Sequence, residues 1–208
     1  MLYSVGKVFV RALFRTVFRC TVTGAENIPK TGGVLLVANH ASYLDPPLLG
    51  CAVDRMVYFV AKAELFKMPV LKWLLPRLGA FPVVRGAADR SAIRRAIELL
   101  NAGEVVGIFP EGTRTRTGEL LPPQRGAALI ALRTGVPIVP VGLSGTFRGI
   151  HWKGWRPVFR RISVRIGKPL DLSGIDPTSR EATFEVSQLM MAGIEQCLRE
   201  AAPEGWRA

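Results

Sequence analysis

LLVANHASYLDPPLLG, residues 35–50, passes from a strand through a turn into a helix, and this order indicates the fold. The apolar run 34–38 is typical of a buried strand. Pro46 and Pro47 are tolerated only near the start of a helix, so the next helix is expected to begin close to Asp45. His40 then lies in the turn after the strand, at the edge of the sheet where open α/β proteins usually bind ligands.

The spacing of His40 and Asp45 allows them to interact only across such a turn. In one regular helix, residues five apart differ by about 140° around the axis and do not face each other. A carboxylate on one ring nitrogen fixes the tautomer of a histidine and leaves the other nitrogen to accept a proton from a hydroxyl group. A substrate alcohol can take the place that a serine holds in a hydrolytic triad. For this spacing alone, a capping Asp beside a chemically idle His is the favoured interpretation.

The rest of the chain alternates short apolar runs with helical patterns, which predicts one α/β domain with helices on the faces of its sheet. Its 208 residues suffice for one such domain and are too few for two comfortable ones. The predicted strands are 34–38, 56–61, 81–84, 105–109, 137–143 and 162–166. The clearest predicted helices are 89–101, 125–134 and a long one that opens at Pro177, capped by Asp176, and runs to about residue 200.

Two segments hold the excess positive charge of the chain. The net charge is +12, and residues 1–20 and 146–170 together contain eleven of the 28 Lys and Arg residues but none of the 16 acidic ones. In residues 1–20 a basic residue recurs at every fourth position beside a wide apolar face, which predicts an amphipathic helix on a membrane surface, followed by an α/β domain over residues 21–208. In residues 146–170 the aromatic residues Trp152, Trp155 and Phe159 are interleaved with cations, as in a loop on an anionic membrane.

Two other interpretations of this charge compete with membrane binding. The N-terminal helix could pack on its own domain with its arginines in solvent. Nucleic-acid binding would explain the charge but not the 49% hydrophobic content, so we expect no nucleic-acid partner. No run reaches the roughly 18–20 apolar residues of a membrane span. Basic residues interrupt every candidate secretory signal. We therefore expect a peripheral or monotopic protein on the cytoplasmic side of the cell membrane.

Several cations follow predicted strands at the edge that also carries His40. Arg114 comes after the strand in VVGIFPEGTRTRTGE (105–119), Arg85 after LGAFPVV (78–84), and Lys62 lies in VAKAELFKMP (60–69). The planar fork of Arg matches phosphate oxygens well. Each cation alone is as compatible with a solvated surface. Their repeated placement beside a His and an Asp favours a site for an anionic ligand. Three scattered cysteines and two histidines predict neither a disulfide framework nor a metal site.

Four ordered motifs resemble those of the glycerolipid acyltransferases, with the bacterial lysophosphatidate acyltransferases as the nearest comparison. NHASYLD (39–45) resembles the NHxxxxD motif of that family, GAFPVVR (79–85) its G-apolar-R block, FPEGTRT (109–115) its FPEGTR motif and VPIVPVGL (136–143) its Val/Pro strand. AKAEL (61–65) looks like a further shared block. The resemblance covers roughly residues 20–170, and four motifs in order are far more specific than one.

The resemblance implies a mixed, largely parallel central sheet flanked by helices. It also implies transfer of a fatty acyl chain from acyl-CoA or acyl carrier protein to the hydroxyl of a lysophospholipid such as 1-acylglycerol-3-phosphate. On this model His40 is the general base and Asp45 its partner. The remaining roles are phosphate binding by Arg85, Arg114 and Lys62, and shaping of the site by Glu111, Gly112 and Thr113. No cofactor is implied beyond the thioester substrate, and no metal.

Two features leave alternatives open. PPQRGAA (122–128) has Gln124 where many members of the family have Lys, which puts the headgroup of the acceptor in doubt. VGLSGT (141–146) resembles the GxSxG nucleophile motif of hydrolases, but Thr146 stands where Gly is needed, so a turn is predicted there. A thioesterase that activates water at the same base is still possible. A basic peripheral membrane protein without catalytic activity would not need His40.

Overall fold

Among the residues that the structure describes, seven strands form one sheet, and six α-helices accompany it. A computed structural model of the chain describes residues 2–83, 90–147, 150–153, 156–159 and 161–201; within them, the side chains of 2–5, 150–153 and 156–158 are not described. The strands are β1 (Thr21–Thr23), β2 (Val34–Ala38), β3 (Val57–Lys62), β4 (Ala80–Val83), β5 (Val105–Ile108), β6 (Ile138–Ser144), β7 (Ile150–Lys153), β8 (Arg156–Phe159) and β9 (Ser163–Ile166). The helices are α1 (Leu2–Val17), α2 (Asp45–Ala52), α3 (Pro69–Arg77), α4 (Arg90–Asn101), α5 (Arg125–Thr134) and α6 (Ala182–Ala201).

The strand order places the ends of β2 and β5 side by side. The sheet runs β1-β9-β6-β2-β5-β3-β4. Strands β6, β2, β5, β3 and β4 are parallel, β9 is antiparallel to β6, and β1 is parallel to β9. The prediction of a mixed, largely parallel sheet flanked by helices in a single domain is confirmed. Because β2 and β5 are parallel neighbours, the residues that follow them meet at the same edge.

Side-chain alternation along the central strand divides the core between the two faces of the sheet. Val34, Leu36 and Ala38 belong to the cluster that contains residues of α1 and α2. Leu35 and Val37 belong to the cluster that contains residues of α4, α5 and α6. All five are fully buried, as expected for a strand covered on both faces.

Helix α1 is joined to the core by one side and exposes apolar residues on another. Phe14 is buried in the same cluster as α2, as is Phe18 just beyond the helix. Lys7 and Arg11 donate hydrogen bonds to carbonyl groups at the end of α2, among them Arg11 Nε to Cys51 O at 2.8 Å. Cations there complement the negative end of the helix dipole. The expected basic edge is thus partly used inside the protein, and no helix among the described residues is long and apolar enough to cross a membrane.

Two sequence-based expectations need correction. The C-terminal helix begins at Ala182 and not at Pro177, because Asp176 accepts two hydrogen bonds from Thr178 in a local turn instead of capping a helix. Residues 146–170 are not simply a loop, since β7 and β8 pair as an antiparallel hairpin. Helix α3 and strand β1 were not predicted. Asp89, the first residue of the predicted helix 89–101, and the side chains of Trp152 and Trp155 lie outside the described parts of the chain.

Candidate active site

His40 and Asp45 form a hydrogen-bonded pair at the end of the central strand. His40 lies in the turn after β2, and Asp45 is the first residue of α2, followed by Pro46 and Pro47. The distance from His40 Nδ1 to Asp45 Oδ2 is 2.9 Å. This is the arrangement that the sequence predicted. Since Nδ1 is bonded to the carboxylate, Nε2 is the ring nitrogen available to a substrate.

Asp45 also holds the turn that carries its partner. Oδ2 accepts hydrogen bonds from the backbone N–H groups of Ala41 and Ser42, both at 2.7 Å. The side chain of Asp45 is completely buried, whereas that of His40 retains 11% exposure. Three donors on one carboxylate oxygen fix its position. The imidazole therefore faces a rigid acceptor on its inner side and the surface on its outer side.

Glu111 fixes the backbone of His40 from the neighbouring strand. The loop after β5 brings Glu111 Oε1 within 2.6 Å of the His40 N–H, and Oε2 accepts the N–H of Leu121 at 2.9 Å. The N–H of Thr115 donates to the carbonyl of His40 at 2.9 Å. Burial raises the pKa of the Glu111 carboxyl above its ordinary value of 4.5, and the two backbone donors partly offset this. Both peptide groups of His40 are thus bonded to the segment FPEGTRT.

A stack of three rings supports the imidazole from the side of the sheet. The centroid of the Phe109 ring lies 4.2 Å from that of the His40 ring, with 21° between their planes, and the centroid of the Phe59 ring lies 6.3 Å from that of Phe109, with 14° between their planes. Gly107 of β5 leaves room for this stack, because a Cβ there would lie 2.5 Å from the ring of Phe59. The lateral position of His40 is consequently set by packing as well as by hydrogen bonds.

The three predicted phosphate-binding cations differ in what they contact. The guanidinium carbon of Arg114 lies 3.4 Å from the centroid of the Tyr43 ring, within the turn between His40 and Asp45. Lys62 lies at the end of β3 and forms a half-exposed ion pair with Glu64, with Nζ and Oε1 3.3 Å apart. Arg85 lies outside the described residues. Arg114 is therefore held beside the candidate base, whereas Lys62 shares only the edge of the sheet.

Gly112 and Thr113 form the exposed tip of the turn after Glu111. Gly112 adopts a left-handed φ of 69°, and a Cβ there would lie 3.0 Å from Cγ of Gln124. Glycine suits both demands. Gln124 precedes α5 and donates its N–H to the carbonyl of Pro110 at 2.7 Å. The residue that replaces the common Lys thus packs against this turn.

The contacts of Asn39 and the position of Ser144 indicate structural roles for both residues. The buried amide of Asn39 donates to the carbonyl of Leu143 at 3.0 Å and accepts its N–H at 2.7 Å, which joins the end of β2 to β6. Ser144 is the buried last residue of β6, followed by Gly145 with a left-handed φ and not by a helix. The predicted turn at VGLSGT is confirmed, and the geometry of a nucleophile elbow is absent from this described segment.

Sequence reasoning missed the contributions of Phe109, Tyr43 and Leu121. Leu121 acts through its backbone N–H, a group that does not depend on the residue type and so leaves no signal in the sequence. Phe109 and Tyr43 lie inside the two recognised motifs, but nothing in the sequence indicates which ring contacts which partner. A search of the described residues finds no group of three or more His, Cys, Asp or Glu side chains that could hold a metal ion.

The fold and the site define a class of protein: an α/β domain with a histidine–carboxylate pair and a nearby arginine at the carboxyl edge of its parallel strands. A family model described as Acyltransferase matches residues 19–144, and the chain belongs to this acyltransferase family. The 1-acyl-sn-glycerol-3-phosphate acyltransferase of Bacillus subtilis is 35% identical over 152 residues, which are 72% of this chain and 72% of the relative.

Two further comparisons extend over most of the chain. The chloroplastic 1-acyl-sn-glycerol-3-phosphate acyltransferase of Brassica napus is 31% identical over 90% of this chain, and the match spans 56% of that relative, so the chain covers little more than half its length. The crystal structure of the 1-acyl-sn-glycerophosphate acyltransferase of Thermotoga maritima superposes with a TM-score of 0.70 at 30% identity, covering 93% of this chain and 81% of the other.

Proposed function

We propose that this protein transfers a fatty acyl chain from a thioester to the free hydroxyl of 1-acylglycerol-3-phosphate, giving phosphatidate. The observation that carries the proposal is the 2.9 Å pair of His40 and Asp45 with Arg114 held over the same turn. A general base beside a fixed cation suits an alcohol substrate that carries a phosphate. The names of the similar proteins support this acceptor.

The proposed reaction needs one base and no nucleophile from the protein. Nε2 of His40 takes the proton of the acceptor hydroxyl while the oxygen attacks the thioester carbonyl. The C–O bond forms, the tetrahedral intermediate collapses, the C–S bond breaks, and the imidazolium returns the proton to the leaving thiolate. Asp45 stabilises the imidazolium between these steps. The thiol product is CoA or the phosphopantetheine of acyl carrier protein.

The acceptor phosphate is proposed to bind Arg114, with Lys62 and Arg85 as further cations at the same edge. The contact with Tyr43 occupies one face of the Arg114 guanidinium. The N–H bonds of a guanidinium lie in its own plane, so they stay available to a phosphate. Tyr43 would thus orient Arg114 without competing for the phosphate. Glu111, Gly112 and Thr113 are proposed to shape the turn that carries Arg114.

The substrates are lipids, and α1 offers a surface for a membrane. Val8, Phe9 and Leu13 are exposed large apolar residues, and Arg15 and Arg19 are exposed close by. An apolar ridge beside cations suits the interface of an anionic bilayer. We place the protein at the cytoplasmic side of the cell membrane as a peripheral or monotopic enzyme.

A thiol-release assay tests the reaction. The protein should release free thiol from acyl-CoA only when lysophosphatidate is added, and His40→Ala should abolish release while the circular dichroism spectrum is unchanged. Replacing the only other histidine, His151→Ala, is the matched control. Release without an acceptor would indicate a thioesterase. No release from acyl-CoA or acyl carrier protein would favour a membrane-binding protein without catalytic activity.

A further inference from the structure

Residues 63–77 are rich in apolar side chains that the protein buries only in part. The segment AELFKMPVLKWLLPR comprises a short 3-10 helix, Ala63–Lys67, and helix α3. Neither helix contains a buried residue, although eight of the fifteen residues are large and apolar. None of them belongs to either core cluster. Met68, Val70 and Trp73 are 53%, 73% and 54% exposed.

The charges of the segment indicate what it contacts. Lys67, Lys72 and Arg77 are exposed among the apolar residues, and the acid of the segment, Glu64, is paired with Lys62. The guanidinium of Arg77 lies 4.2 Å from the centroid of the Trp73 ring. A second copy of the chain would bring like charges together on this surface. An anionic lipid surface matches both the exposed apolar side chains and the exposed cations, because it accepts apolar side chains beneath a layer of negative headgroups.

The segment also lies at the same edge of the sheet as the candidate active site. It begins directly after Lys62, at the end of β3, and it leads into β4. Strands β3 and β2 are both parallel neighbours of β5, so the segment and His40 leave the sheet at the same edge. A bilayer in contact with residues 63–77 would therefore lie beside the edge that carries His40.

We propose that residues 63–77 form a membrane-contacting surface that inserts Met68, Val70 and Trp73 into the interface of an anionic bilayer. This surface is separate from the ridge on α1. It holds the sheet edge at headgroup depth, so that a lysolipid reaches His40 without leaving the membrane; only this last consequence rests on the proposed acyl transfer.

Vesicle binding of the full chain tests the surface without any catalytic step. The probes are phosphatidylcholine vesicles with and without about 30% phosphatidylglycerol. The double variant Val70→Ser/Trp73→Ser should bind the anionic vesicles at least about tenfold more weakly. Each replacement removes the favourable free energy of moving an apolar side chain from water into the bilayer. The matched control is Phe184→Ser, which removes a 60% exposed aromatic residue from α6 and should leave binding unchanged. Thermal unfolding of both variants should match the wild type.

Fluorescence and kinetics provide independent measurements. Brominated lipids should quench the emission of the wild type more than that of Trp73→Phe, which keeps an apolar ring. With vesicle-borne lysophosphatidate the double variant should show a raised KM, whereas with a short-chain acceptor dissolved below its critical micelle concentration it should match the wild type. Unchanged binding by the double variant, or an equal loss with Phe184→Ser, would overturn the proposal. So would a wild-type dimer that the double variant dissociates. Intact binding by a chain that transfers no acyl group would count against the proposed reaction and leave this surface standing.

Discussion

Replacing Glu111 by Gln is expected to weaken both the fold and the reaction, although the change alters only one atom type. The two carboxylate oxygens of Glu111 accept the N–H groups of His40 and Leu121 at 2.6 and 2.9 Å. Glutamine has one acceptor oxygen, so its amide nitrogen must face one of these donors. A buried N–H then loses its acceptor, and the remaining hydrogen bond loses the benefit of a charged partner.

The size of the effect follows from these two losses. A hydrogen bond to a charged group contributes about 1.5–3 kcal/mol, and part of the loss is offset because the buried negative charge disappears. We expect the free energy of unfolding to fall by about 1–3 kcal/mol, which lowers the Tm of a domain of this size by about 2–12 °C. Because the His40 peptide is released on one side, kcat should fall by about 10- to 100-fold.

Urea denaturation and steady-state thiol release measure the two consequences. Glu119→Gln is the matched control, because it removes an exposed carboxylate from the same loop. If Glu111→Gln equals that control in both stability and kcat, the double hydrogen bond does not matter. If stability falls while kcat is retained, Glu111 holds only the loop at Leu121 and does not position the base.

The remaining predictions concern the pair, the phosphate, the membrane and pH. Asp45→Asn should lower kcat by roughly 10²- to 10⁴-fold with little change in KM, as expected for a lost general-base partner; an unchanged kcat would contradict the role of Asp45. Arg114→Ala should raise the KM for lysophosphatidate, and Tyr43→Leu should do so more weakly while Tyr43→Phe retains wild-type kinetics; a lower kcat at unchanged KM would contradict phosphate binding. Phe9→Ser should weaken binding to anionic vesicles and make the residual binding more sensitive to salt; unaltered binding would remove α1 from the membrane interface. Because burial raises the pKa of Glu111, the unfolded chain releases that proton at lower pH than the native protein. Between pH 4.5 and the raised native pKa, the unfolding free energy of the wild type should therefore fall with rising pH relative to that of Glu111→Gln. The prediction is refuted if the unfolding free energies of the two proteins, measured by urea denaturation, change with pH by the same amount across this window.

The sequence predicted the elements whose signals are short-ranged. The turn that pairs His40 with Asp45 lies within six residues. The apolar run before it predicts where the strand ends, and the two prolines after it predict where the helix begins. Short apolar runs likewise placed most sheet strands to within one residue at either end. Prediction failed where a local signal was ambiguous: Asp176 and Pro177 suit a helix start and a turn equally well, and the structure forms the turn.

Tertiary structure alone decided which distant residues meet at the base. Glu111 is 71 positions from His40 and Leu143 is 104 from Asn39, and these contacts exist because β5 and β6 flank β2 in the sheet. Strand order follows from how the whole chain packs, and no periodicity of a single segment records it. The same limit explains why Phe14 joins the core while Met68, Val70 and Trp73 are left exposed. An amphipathic pattern predicts that a helix has an apolar face, whereas only the assembled fold determines whether the protein itself covers that face.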